Sequence, residues 1–148
     1  MSKSKNIYEQ SIAIAATATQ VERCFTEQSL MHQWLNPALV CEPVGTWSTH
    51  KGSKFDFKLQ IPVLSPTLRS TVVERSPGLI VWEFDGFFKG RDRWECQPND
   101  IGTTLLNRFE FTIPNPLVSF GFKQFAASWT KKDMEEQLQR LKQVAERL

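Results

Sequence analysis

Residues 54–61 read Lys-Phe-Asp-Phe-Lys-Leu-Gln-Ile, so Phe55, Phe57, Leu59 and Ile61 alternate strictly with polar side chains. A period of two sends one set of side chains into a core and the other into water, which marks an antiparallel strand covered on one face only. Similar stretches follow at 68–76, 79–85, 89–97 and 102–113, at a spacing of roughly 8–12 residues. They are separated by Ser76-Pro77-Gly78, Asp85-Gly86 and the run Pro98 to Gly102, whose Gly, Pro, Asn and Asp residues favour turns. Along these strands Ile80, Trp82 and Phe84 share a face, as do Asp92, Trp94 and Cys96, and again Leu105, Asn107, Phe109 and Phe111. Arg91 and Arg93 have the opposite parity and are expected in a solvated charged face with Lys89 and Glu95.

Toward the N-terminus, residues 7–16 alternate as a strand with Ile12 and Ile14 on one side. Thr19 with Glu22 three residues on has the spacing of a capping box, and Val21, Cys24 and Phe25 then form the buried stripe of a short helix. Ser29 is placed to cap a second short helix carrying Leu30, Met31, Trp34 and Leu35, stopped by Asn36-Pro37. Toward the C-terminus, Asn115 as cap and Pro116 in the first turn open a helix of about 30 residues, some 45 Å long at 1.5 Å per residue. Its stripe runs Val118, Phe122, Phe125, Trp129, then Met134, Leu138, Leu141, Ala145, Leu148, with an over-long step between Trp129 and Met134. Its charged residues form a solvated face, with Glu136 and Arg140 spaced to pair. The order is strand, two short helices, about six strands and a long helix, which is a single α+β domain over residues 1–148.

At 148 residues the chain suits one core that needs neither metal nor disulfide. Apolar residues make up 41% and charged residues 23%, which excludes disorder, and a net charge of +2 gives no nucleic-acid-binding face. Cys24, Cys41 and Cys96 are far apart, and with only two histidines, His32 and His50, no metal set can be assembled by spacing. Nucleophile-elbow, zinc-protease, P-loop and dinucleotide motifs are all absent, so no cofactor is expected. Both histidines are expected at the surface. No 18-residue apolar run occurs, so no membrane-spanning helix is expected. Ala15-Ala16-Thr17-Ala18 lacks the apolar stretch that precedes a cleavage site, and three unpaired cysteines fit a reduced, cytoplasmic compartment.

The ordered pieces Ile12 to Ala16 running into a capped helix, Trp34, Val72-Val73-Glu74-Arg75-Ser76-Pro77, Ile80-Val81-Trp82, Trp94 to Pro98, Gly102 to Leu105 and Glu136 to Lys142 together resemble the START/polyketide-cyclase superfamily. That resemblance spans nearly the whole chain. It implies the helix-grip fold, an antiparallel sheet of about seven strands curled around the long C-terminal helix, with a cavity for a hydrophobic ligand. It brings no matched catalytic constellation. The stretch from Trp34 to Gly52 also resembles the chaperone-ATPase-activator branch, which implies a protein-interaction module.

On that fold the expected cavity lining is Phe55, Phe57, Leu59, Trp82, Phe84, Trp94, Asn107, Phe109 and Phe111 from the sheet, with Phe122, Phe125 and Trp129 from the helix. In a meander the connections near 62–67, 85–89 and 114–118 fall at one end. They carry Val63, Leu64, Phe87, Phe88, Leu117 and Val118, the expected cavity rim. These residues fit three readings: they fold back onto the core, they ring a cavity mouth, or they form a dimer contact. The expected function is binding, with transport as one form of it, of a lipid, isoprenoid or polyketide-like molecule. The expected partner is that small molecule, with no nucleic acid and no membrane insertion, and the chain is expected as a monomer or weak homodimer. A cyclase or dehydrase is the enzymatic alternative, and Asp92 is its one candidate acid or base.

Overall fold

A computed structural model describes residues 5–59, 67–86, 88–117 and 127–148. Strand β1 (Asn6–Ile14) is followed by helices α1 (Ala18–Thr26) and α2 (Gln28–Trp34). Then come β2 (Leu39–Pro43), β3 (Lys54–Leu59), β4 (Thr67–Ser76), β5 (Leu79–Gly86), β6 (Lys89–Asn99) and β7 (Gly102–Thr112). The described part of the C-terminal helix, α3, is Ala127–Glu146. All seven strands form one antiparallel sheet in the order β1-β7-β6-β5-β4-β3-β2, so β2 to β7 are a meander and β1 closes onto its end.

Helix α1 starts one turn-fraction earlier than its sequence suggests. Thr17, not Thr19, is the cap: its hydroxyl accepts from Gln20 N at 3.1 Å, and Gln20 Oε1 accepts from Thr17 N at 3.0 Å. This earlier start leaves Glu22 available for tertiary contacts. Its carboxylate accepts from Gly78 N in the β4–β5 turn and pairs with Arg75 at 3.2 Å. Helix α2 begins at Gln28 after Glu27, which makes no side-chain cap, so Ser29 lies inside the helix rather than capping it.

Val21, Cys24 and Phe25 of α1, Leu30, Met31 and Trp34 of α2, and Leu138, Leu141, Val144 and Ala145 of α3 converge with Ile14, Ile80, Trp94 and Leu105 of the sheet in one buried cluster. Polar ties hold α3 at this end. Glu146 accepts from Ala15 N at 2.8 Å, and Arg140 Nε donates to Trp34 O at 2.9 Å. Arg140 therefore faces inward and forms no pair with Glu136, contrary to the i, i+4 expectation; the helix pair that forms is Lys142–Glu146, at 2.7 Å. An exposed pair of that kind is worth only a few tenths of a kcal/mol, so a tertiary carbonyl competes easily.

The opposite, convex face is ionic. Arg91 pairs with Glu83 at 3.0 Å, Arg93 with Glu74 and Glu95 at 3.3 and 3.1 Å, and Arg108 with Glu9 at 2.8 Å. This is the charged ladder that strand parity predicts.

Candidate functional site

The concave face of the sheet carries the aromatic residues. Phe55, Trp82, Phe84, Trp94 and Phe111 are buried, and Phe57 and Phe109 are half-buried. Leu59 and Trp129 are placed by backbone alone, on β3 and α3. Phe122, Phe125, Val63, Leu64, Phe87 and Val118 lie outside the described residues. Of the expected rim, Phe88 turns back and stacks on Phe111 with ring centroids 4.8 Å apart, whereas Leu117 is 83% exposed. Asn115 Oδ1 accepts from Leu117 N at 2.9 Å, as an N-terminal cap does.

Among the described residues the concave side chains separate into two clusters. The larger lies at the helix end and includes Trp82, Trp94, Phe55 and Val72; Trp94 packs on Trp34 at 5.2 Å and on Phe25 at 6.1 Å. The smaller lies at the loop end, where Phe84, Phe111 and Ile113 gather Tyr8, Leu68, Phe88 and Phe109. Phe84 stacks on Phe109 at 5.3 Å, and Phe109 touches Phe111 at 4.7 Å.

Polar groups lie where the two clusters meet along the strands. On β4, buried Ser70 sits between Leu68 of the small cluster and Val72 of the large one. On β6, Asp92 sits between Gly90 and Trp94, and on β7 Asn107 sits between Leu105 and Phe109. Strand register places Trp82 opposite Asp92 and Trp94 opposite Asn107. Asn107 Nδ2 donates to Asp92 Oδ1 at 2.7 Å and to Arg93 O at 3.2 Å, and Trp94 Nε1 donates to Asp92 Oδ2 at 2.8 Å. Asn107 thus has an internal partner for its amide, as buried amides usually do. Burial pushes the Asp92 carboxyl up to about 6, against the pull of these two donors.

Ser70 and Tyr8 are missing from the expected lining. Ser70 was within reach of the same parity argument, since Leu68, Ser70 and Val72 alternate; Tyr8 follows from Ile12 and Ile14 by counting back along β1. The Trp34 to Gly52 stretch turns its indoles inward: Trp34 Nε1 donates to Cys24 O at 2.7 Å, and Trp47 Nε1 to Thr26 O at 2.8 Å while its ring packs on Phe55. Exposed His32 is tied to the fold, its Nε2 accepting from Cys41 N at 3.2 Å. Burial pushes the thiols up, Cys24 to about 11 and Cys41 and Cys96 to about 12.

A depression of about 570 Å³ on the convex face is lined by Lys5, Arg69, Glu83, Lys89, Arg91 and Glu110, among others. Lys5, Arg69 and Arg91 are already paired with Glu110, Asp56 and Glu83, so these cations are committed to the ladder. Among the described residues no three His, Cys, Asp or Glu side chains come together as metal ligands would, and no helix is long and apolar enough to cross a membrane.

A seven-stranded antiparallel meander with two short helices after its first strand and a long terminal helix defines the helix-grip class. The chain belongs to the family described as polyketide cyclase/dehydrase and lipid transport, whose model matches residues 7–146. Solved structures of the same fold include protein CV1439 from Chromobacterium violaceum, at 17% identity and a TM-score of 0.71 over 95% of this chain and 98% of that one. Ara h 8.0201 superposes at 9% identity and a TM-score of 0.69, over 96% of this chain and 98% of its own. The di-domain ARO/CYC protein StfQ of the steffimycin biosynthetic pathway matches at 16% identity and 0.74, over 97% of this chain and 51% of that one. No curated protein matches the chain.

Proposed function

We propose that this chain binds a small, mainly apolar molecule, of the lipid, isoprenoid or polyketide-like kind, against the concave face of its sheet. The observation that carries the reading is the split in the aromatic face. A solid interior ordinarily forms one contiguous apolar cluster, whereas the described residues form two, with Ser70, Asp92 and Asn107 between them on β4, β6 and β7. Such a surface, mostly aromatic with a few converging polar groups, has the make-up of a small-molecule site. Membership of a family described by lipid transport supports the same reading.

The test is native mass spectrometry of the freshly purified protein, followed by titration with the neutral fluorophore N-phenyl-1-naphthylamine. Binding predicts a saturable rise in emission at one equivalent, reversed by any co-purified compound. Emission that rises without saturation, together with a mass equal to that of the bare chain, would overturn the reading.

Asp92 favours a second reading, an enzyme of cyclase or dehydrase type. A carboxyl held near 6 inside an aromatic surface can exchange a proton with a bound molecule around neutral pH. On that reading Asp92→Asn keeps N-phenyl-1-naphthylamine binding and loses turnover of the natural compound; unchanged turnover removes Asp92 from the chemistry.

A further inference from the structure

The two edges of the sheet, β2 and β1, are finished differently. In an antiparallel strand the N–H and C=O of one residue point to the same side, and successive residues alternate. On β2 the outward positions are Leu39, Cys41 and Pro43, and none of them offers a free N–H. Leu39 N donates to Asn36 O at 2.8 Å, and Pro43 has no N–H at all. Cys41 N donates to His32 Nε2 of α2 at 3.2 Å, and Cys41 O accepts from Gln28 Nε2 of the same helix at 3.4 Å.

On β1 the outward positions are the odd-numbered ones. Ala13 O accepts from Lys142 Nζ at 3.1 Å and Ala15 N donates to Glu146 at 2.8 Å, so α3 closes the edge at its helix end. Further along, the outward N–H and C=O groups of Ile7, Glu9 and Ser11 have no partner among the described residues. Their side chains stand exposed on the convex face, Ile7 at 46%.

Proteins protect strand edges with shortness, proline, a bulge or a charge. The five-residue β2 has the first two. By contrast β1 is nine residues long, has no proline and pairs with β7 without a bulge. It carries only Lys5 and Glu9, opposite charges placed symmetrically about Ile7. Such charges select a register instead of blocking every one. A two-fold axis at Glu9 would set that carboxylate against its own copy, and like charges directly opposed are destabilising. An axis at Tyr8 would set Ile7 against Glu9, and axes at Gln10 or Ser11 need Ala13, whose carbonyl Lys142 holds. An axis at Ile7 sets Ile7 on Ile7 and Lys5 on Glu9 twice. Glu9 then lies between Arg108 of its own sheet and Lys5 of the second copy, so the charge alternation of the convex face runs on across the axis.

We propose that the open edge of β1 pairs antiparallel with β1 of a second copy of this chain, about a two-fold axis at Ile7. About six backbone hydrogen bonds join the copies, two for each opposed pair. So short a contact belongs to the weak class, below about 1,200 Å². The pairing does not depend on the interior-binding reading.

Sedimentation velocity of the full chain in low salt tests this from about 10 μM to about 0.5 mM, the range in which so small an interface associates. A reversible shift from monomer to dimer is expected. Glu9→Lys should weaken it about tenfold, and Lys5→Glu combined with Glu9→Lys should bring it back to within about threefold. The double swap does not restore the pairs with Glu110 and Arg108, so recovery reads only the contact between copies. Ile7→Cys reads the register, because opposed hydrogen-bonded residues hold their Cα atoms about 5.5 Å apart, within disulfide reach. Treated with diamide, which takes the two thiol hydrogens and becomes the hydrazine, it should give a covalent dimer, whereas Ser11→Cys and the wild type should not. A urea midpoint for each variant shows that it is folded. A chain that stays monomeric up to about 0.5 mM overturns the second copy as the occupant of this edge. So does a dimer that Glu9→Lys leaves unchanged, or one that cross-links as readily through Ser11→Cys as through Ile7→Cys.

Discussion

The helix end and the loop end of the concave face are built from the same residue types but held differently. At the helix end, α1, α2 and α3 all press on the sheet, and Trp94 is wedged between Trp34 and Phe25. At the loop end, among the described residues, rings from β1, β5, β7 and the β5–β6 connection pack on one another: Tyr8, Phe84, Phe88, Phe109 and Phe111. The lesson is a division of labour. One end ties the sheet to its helices, and the other packs ring on ring within the sheet beside the polar groups.

The largest expected effect belongs to the helix end. Phe25→Ala should lower the unfolding free energy by about 3–5 kcal/mol, as deleting a fully buried ring does, read from the urea midpoint. A loss below about 1 kcal/mol would mean that this end is not the principal core.

Next comes Gly90→Ala, at the edge of the loop-end cluster. A Cβ there would lie 1.9 Å from Glu110 O, so the β6–β7 pairing would have to shift. A cost of about 3 kcal/mol is expected, at the upper part of the range for overpacking. Neutral behaviour in a thermal melt would show that the two strands can separate there freely.

Asp92 sharpens the comparison through pH. Between its ordinary value of 3.8 and about 6 the folded chain holds a proton that the unfolded chain has released, so its contribution to stability falls as the pH rises across that window. From pH 4 to 7 the wild type should lose on the order of 2–3 kcal/mol relative to Asp92→Asn, since each tenfold difference in proton affinity between the folded and unfolded chains is worth about 1.4 kcal/mol. Parallel stability profiles for the two proteins would refute a desolvated carboxyl.

Phe88→Ala should cost only about 1 kcal/mol, because the ring is half-buried, and it should alter probe binding more than folding. A cost equal to that of Phe25→Ala would erase the distinction between the two ends. The smallest change is Arg91→Gln on the convex face, within about 0.5 kcal/mol in salt titrations, since its partner Glu83 is similarly exposed.

Much of this fold is readable from the chain alone, for a physical reason. One wet face and one dry face impose the period of two that marks residues 54–59, 79–86 and 102–112, and glycine-bearing turns punctuate them. The helix start is not, because Thr17 with Gln20 and Thr19 with Glu22 are equally good local caps. What separates them is the tertiary contact of Glu22 with Gly78 and Arg75, across more than fifty residues. The inward direction of Asp92 and Asn107 follows from parity. Their mutual hydrogen bond does not, because it depends on the register that sets Trp94 against Asn107.

The three thiols carry a chemical consequence. With Cys24 held near 11 and Cys41 and Cys96 near 12, almost none of their sulfur is present as thiolate at neutral pH, and thiolate is the form that attacks electrophiles. An unsaturated ketone or quinone brought into contact with this domain would meet no ready sulfur nucleophile among these three, and would leave again unmodified.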